Sequence, residues 1–100
     1  MTVVRLTATA EQDVEKAVAW YDRQRPGLGP FFLLDLEQAI DRIRLFPDGY
    51  PMVRPLVRRM LLARFPYAVV YRQYEPGIVV IAVLHQMTHG ERTLERVQSK

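Results

Sequence analysis

Cysteine is absent from the 100 residues, which removes disulfide staples, thiol nucleophiles and cysteine-type zinc sites and fits a reducing compartment. No apolar run approaches the ~20 residues of a membrane span, and the opening residues lack a charged-then-apolar leader, so a cytoplasmic protein without membrane attachment is expected. Lysine is scarce as well: twelve of the fourteen basic residues are Arg, with Lys only at 16 and 100. Acidic residues are missing altogether from positions 49 to 74. There is no glycine-rich phosphate loop, no Ser-His-Asp order and no carboxylate pair. Gly27-Leu28-Gly29 falls between two helical patterns, where it reads as a turn rather than a dinucleotide fingerprint. His85 and His89 are four apart, but Gly90 follows at once and no Cys is available as a further ligand, so neither a metal nor a cofactor is expected.

The remaining composition is that of an ordinary globular chain, 49% apolar and 25% charged, and its length suits one domain over residues 1–100. The net charge of +3 is unevenly placed. Residues 1–50 hold six basic and eight acidic groups, a balance of −2, while residues 51–100 hold eight and three, a balance of +5. Arginine presents a planar fork suited to carboxylate and phosphate. The bias therefore reads either as an anion-binding surface or as the codon usage of a G- and C-rich genome.

Val3 to Leu6 forms a short β-prone run. Thr9 and Gln12 have the spacing of a capping box, and Ala10, Val14, Ala17, Val18 and Tyr21 follow one helical face until Pro26-Gly27. A second helix is expected to open at Pro30, with Leu33, Leu36, Ile40 and Ile43 as its apolar stripe, Asp35, Glu37, Asp41, Arg42 and Arg44 on its wet side, and Phe46-Pro47 as its end. A link of about five residues makes the two helices an antiparallel hairpin. A turn-rich connector through Asp48-Gly49 and Pro51 leads to three strand-like runs, Val57 to Arg64, Tyr67 to Arg72 and Ile78 to Leu84. The Tyr74-Glu75-Pro76-Gly77 segment reads as a type II turn. The last run has no polar residue and is the expected central strand. Gly90 to Lys100 reads as a short charged helix. The expected fold class is α+β, in the order β-α-α-β-β-β, with a helical hairpin packed on one face of a small antiparallel-rich sheet.

Two groups of residues are candidates for chemistry. His85 and His89 flank the exit of the last strand, where histidine can act as acid or base and Arg58, Arg64 or Arg72 can hold a phosphate, or where a histidine can simply hydrogen-bond its own turn. Arg54, Arg58, Arg59, Arg64 and Arg72 form the acid-free stretch. Alternation along a strand would send Arg58 and Arg64 to one face and Arg59 to the other. Such arginines either bind an anion or protect an exposed face from aggregation.

The segments LTATAEQDVEKAVAWYDRQRPGLGPFF, FPDGYP, VRRMLLARFPYAVVYR and IAVLHQMTHGERTLERV, in this order, resemble the RelE/ParE superfamily of type II toxin–antitoxin toxins, known also as plasmid stabilisation toxins. The likeness covers nearly all of residues 1–98. Toxins of the RelE type cleave mRNA on the ribosome with basic residues on the sheet and often a C-terminal Tyr or His. This chain departs from that pattern at Ala68 and Gln86-Met87 and has no aromatic residue after position 74. The VLHQ strand end is more similar to ParE-type toxins, which the resemblance implies poison DNA gyrase. That branch implies no catalytic residues, and an interaction surface for target or antitoxin drawn from Arg54, Arg58, Arg59, Arg64, Arg72, His85, His89 and Arg92. The RelE alternative implies an endoribonuclease using His85, His89, Arg58, Arg64 and Arg72, and a third reading is a degenerate, non-toxic binding module. The resemblance also implies a small antitoxin whose acidic, amphipathic C-terminal segment folds on the toxin, lying across the basic sheet side with an apolar groove beside the helical hairpin supplying the rest of its seat.

Overall fold

The computed structural model describes residues 2–74, 77–88 and 96. Its elements are β1 (Val3–Leu6), α1 (Ala8–Gln24), α2 (Leu28–Leu45), β2 (Met52–Arg54), β3 (Val57–Leu61), β4 (Tyr67–Tyr74) and β5 (Gly77–His85). The strands form one sheet in the order β1-β5-β4-β3-β2. β1 runs parallel to β5, and every other pairing is antiparallel. The expected α+β class and helical hairpin are present, with one strand more than anticipated. β2 is three exposed residues at the sheet edge, too short for an alternating pattern to show within the turn-rich connector. β5 lies between β1 and β4, so the wholly apolar run is an interior strand as expected, with β4 at the middle of the order.

α1 begins two residues before the expected capping box. Thr7 is the cap, its Oγ1 accepting from the Ala10 amide at 3.1 Å. Thr7 wins over Thr9 because its own amide is tied to the Val80 carbonyl, 3.0 Å away, so the strand it leaves fixes where the helix starts. α2 likewise opens at Leu28 rather than Pro30. Gly27 supplies the left-handed turn between the helices (φ 92°), and Asp22 of α1 accepts from the Gly29 amide at 2.7 Å, satisfying one of the free donors of the new helix. A Cβ on Gly29 would sit 2.8 Å from Val18 Cγ1 and 2.9 Å from Asp22, so the glycine also allows the helices to approach. Pro30 remains within the first turn, where its missing amide costs nothing.

The buried stripe of α2 is Phe32, Leu36, Ala39 and Ile43; Leu33 is exposed. Asp35, expected on the wet side, is 2% exposed. Its Oδ2 accepts from the backbone amides of Arg64 and Phe65, both at 2.9 Å. A carboxylate in this place replaces water for two amides of the β3–β4 connection, while its Oδ1 is buried with no hydrogen-bond partner among the described residues. The stripe of α2 joins Ala10 and Ala17 of α1 and Met60, Leu62, Val69, Tyr71, Ile78, Val80 and Val83 of the sheet side in the helix-side core. A second cluster, Val57, Val70, Val79, Ile81 and Ala82, is buried on the far side of the sheet.

Asp35→Ala should lower the unfolding free energy by about 2–6 kcal/mol, because two amides lose their acceptor at ~1–3 kcal/mol each when buried without a partner. Asp35→Asn, which keeps an acceptor oxygen, should lose less. Urea titration of the two variants gives the comparison, and an Ala variant as stable as the parent would remove Asp35 from this role.

Candidate functional site

The register of the sheet decides which arginines meet. On the far face, Arg5 of β1 lies opposite Val79, Val79 opposite Arg72, and Arg72 opposite Val57. Arg59 lies opposite Val70, which makes it a diagonal neighbour of Arg72, roughly 7–8 Å away across the pair. Arg59 and Arg72 are half-buried and Arg5 is exposed. They share this face with the aliphatic cluster of Val57, Val70 and Val79. Arg59 Nη2 donates to the Gln86 carbonyl at 3.4 Å, while Arg72 Nε is buried with no hydrogen-bond partner among the described residues. Arg54 is exposed on β2, paired opposite Val57.

Arg58 faces the helix side instead. It donates to the Tyr50 carbonyl at 2.7 Å and to Gln73 Oε1 at 3.1 Å, with Asp48 at 3.9 Å. Its charge is committed to holding the chain after α2 against β3 and β4. Arg64 lies past the end of β3, exposed in the connection to β4, so the expectation that Arg58 and Arg64 share a strand face fails: the strand stops at Leu61. His89 and Arg92, and the expected terminal helix apart from Arg96, lie outside the described residues, as do Glu75 and Pro76 of the expected turn.

His85 ends β5 opposite Tyr67, with the rings edge-to-face at 5.4 Å. Its Nδ1 accepts from the Met87 amide at 3.1 Å, and the Thr88 amide donates to its carbonyl at 2.8 Å. Both bonds match the strand-end reading of this histidine. Next to it a groove of about 540 Å³ runs between α1 and the end of β5, bounded by Lys16, Trp20, Tyr21, Arg23, Tyr67 and His85. Tyr21 and Tyr67 have phenols raised above their usual range, each chiefly by burial, with a lesser push from Tyr67 on Tyr21 and from Asp13 on Tyr67. At the head of the groove Asp13 accepts from the Val83 amide at 3.0 Å. Arg96 meets the same carboxylate at 2.6 Å and 3.0 Å and the Ile81 carbonyl at 3.1 Å. No helix among the described residues is long and apolar enough to cross a membrane, and no group of three or more described His, Asp or Glu residues is placed to hold a metal ion.

The family described as ParE toxin of type II toxin-antitoxin system, parDE, matches this chain over residues 4–89. The chain belongs to the ParE toxin family. Among curated proteins none matches. Among solved structures this toxin is similar to a chain of the chromosomal ParDE TA system from P. aeruginosa, at 19% identity and a TM-score of 0.75, covering 85% of this chain and 96% of that one. At that identity the likeness speaks for the fold. Membership places the ParE-family toxin in the RelE/ParE superfamily, as the toxin component of a type II system with a cognate antitoxin.

Two features of the toxin's surface escape a reading of the sequence. Arg5 joins the far-face set only because β1 returns in parallel beside β5, which no local pattern indicates; its place in an alternating Val-Arg-Leu strand was the available signal. Trp20 lies beside the helical stripe at Tyr21 and passes for core, yet it is 47% exposed.

Tyr71 is fully buried and donates to the Pro47 carbonyl at 2.6 Å. Burial pushes its phenol up to about 12, against a smaller opposing pull from Arg58 and small further pushes from Tyr50 and Asp48. A phenol whose folded value lies above its unfolded value of ~10 favours the folded state fully below pH ~10 and loses that contribution as pH rises toward 12. Stability measured by denaturant titration should therefore fall between about pH 10 and 12, and the fall should be smaller in Tyr71→Phe. Equal alkaline loss in both proteins would contradict this assignment.

Proposed function

We propose that this ParE-family toxin works by binding rather than by catalysis. It engages and poisons DNA gyrase in the cytoplasm, and a small antitoxin with an acidic, amphipathic C-terminal segment neutralises it, the arrangement of a plasmid-stabilisation system. The family match over residues 4–89 carries the reading. The dispersal of the groups that an RNA-cleaving alternative would need adds to it. Arg58 is held on the helix side by Tyr50 and Gln73, Arg72 is on the far face, and Arg64 is in a connection beyond β3. His85 is on the helix side of the sheet with Nδ1 engaged. Acid–base cleavage needs base and charge stabiliser within reach of one phosphate, and these residues do not converge on one. A binding surface has no such requirement. The far-face set of Arg5, Arg59 and Arg72, with Arg54 at the edge, offers diverging guanidinium forks to an acidic or phosphate-bearing partner.

Purified toxin should inhibit negative supercoiling by gyrase or trap gyrase-cleaved DNA, and preincubation with antitoxin should restore the reaction. Reversal of far-face charge in an Arg5→Glu, Arg72→Glu variant should weaken the inhibition about tenfold or more. An unchanged supercoiling rate at saturating toxin would overturn the gyrase reading. Codon-specific mRNA cuts in a translation reaction would assign the endoribonuclease activity instead, and unimpaired growth on induction without antitoxin would mark a non-toxic binding module.

A further inference from the structure

Pairing across the sheet lines up one transverse row on the far face. Arg5 of β1 is opposite Val79 of β5, Val79 opposite Arg72 of β4, Arg72 opposite Val57 of β3, and Val57 opposite Arg54 of β2. An arginine therefore recurs on every second strand, at intervals of about 9.5 Å, and the row crosses the sheet in about 19 Å. Arg59 lies diagonal to Arg72 and widens the row at its middle. None of the five strands contains Asp or Glu. Every acidic residue among the described ones belongs to α1, α2 or the connector after α2. Arg5, Arg54, Arg59 and Arg72 take part in none of the ion pairs among the described residues. Their charge on this face thus has no counter-charge from the strands that carry it.

The surroundings of the row choose between the two anions that a guanidinium fork fits. A protein partner binds chiefly through a few aromatic or apolar side chains seated in pockets. Between these arginines stand Val57 and Val79, 0% and 8% exposed, so the row itself offers no seat for such an anchor. A phosphodiester backbone needs none, because its affinity comes from charge and the release of counterions. Single strands also call for aromatic platforms on which unstacked bases lie. Tyr74 alone of the strand aromatics falls on this face, at the end of β4. A duplex carries one phosphate per strand for each ~3.4 Å of its axis, so the length of the row matches about five or six of them.

We propose that this row is a track for the backbone of duplex DNA: Arg5, Arg72 and Arg54, with Arg59 beside them, meet phosphates without reading the bases. The track rests on the gyrase reading above and adds that the toxin holds the DNA itself, beside the enzyme that acts on it.

Fluorescence anisotropy of a labelled duplex of about 20 base pairs, titrated with the whole toxin chain from about 50 to 200 mM salt, tests this. The logarithm of the association constant should fall with that of salt with a slope of about −3 to −4, at ~0.9 per phosphate contact, and should be the same for two unrelated sequences. Arg5→Gln, Arg54→Gln, which alters two exposed positions, should flatten the slope by about two and weaken binding about tenfold or more at low salt. Lys16→Gln, Arg23→Gln, which removes the same charge from exposed positions on α1, should leave the slope close to that of the parent. Equal losses in the two variants, or tighter binding to the single strand than to the duplex, would overturn the track. So would a toxin that binds a poly-glutamate peptide and no DNA, which would give the row to an acidic protein segment. Inhibition of gyrase by a toxin that does not bind the duplex would overturn the track and leave the gyrase reading standing. Duplex binding through the row with supercoiling untouched would overturn the gyrase reading and keep the track.

Discussion

Ile81 has no partner across the β4–β5 ladder, because Val70 faces Ala82 and Tyr71 faces Val80. This one extra residue shifts the alternation of β5. Ile81 and Ala82 both join the far-side cluster, and Val83 returns to the helix-side core. It also falls just past the point where β1 ends, since Leu6 pairs with Val80. β5 therefore continues beyond its parallel neighbour with an edge that would present bare backbone groups. Asp13 of α1 takes the Val83 amide and Arg96 takes the Ile81 carbonyl, while the two side chains pair with each other. A carboxylate doing the work of a missing strand ties α1 to the sheet at one fixed height. The rest of the helical face follows from that tie, and with it the position of Lys16, Trp20 and Arg23 over the strand ends.

Charge is distributed by the same geometry. The second half of the chain carries +5, yet its arginines do not form one patch. Arg58 is spent internally on Tyr50 and Gln73, Arg59 and Arg72 share the far face with an aliphatic cluster, and Arg64 stands in a connection. Lys16 and Arg23, both exposed on α1, come from the half whose balance is negative. Sequence totals by half thus do not locate charge, because a helix face can place two cations beside an aromatic ring within a half whose balance is negative.

The class of fold was legible because its signals are local: a 3.6-residue period in two stretches, strand-prone runs separated by proline and glycine, and an apolar run that demanded cover on both faces. The helix starts were misread by two residues each for a reason that is not local. Thr7 was chosen over Thr9 by a hydrogen bond to Val80, and Leu28 over Pro30 by Asp22 reaching across from α1. Asp35 read as a surface acid because a buried carboxylate is allowed only when specific amides meet it, and those belong to Arg64 and Phe65 about thirty residues on. Arg64 falls outside the alternation of β3 because strands end where pairing ends, and β3 pairs only to Leu61. Of the candidate site, His85 at the strand end and the split of Arg58 from Arg59 were visible in advance. Arg5 and Trp20 were not, since one depends on the parallel pairing of the first strand with β5 and the other on which part of α1 the sheet leaves uncovered.

Native-state hydrogen exchange at the Val83 amide tests the tie between α1 and β5 most directly. This amide, on a strand edge with no neighbouring strand among the described residues, should be protected in the parent protein. Asp13→Ala should release it to fast exchange while the amides between β4 and β5 keep most of their protection. A Val83 amide that exchanges freely in the parent, or at the same slow rate with and without the Asp13 carboxylate, would contradict the tie.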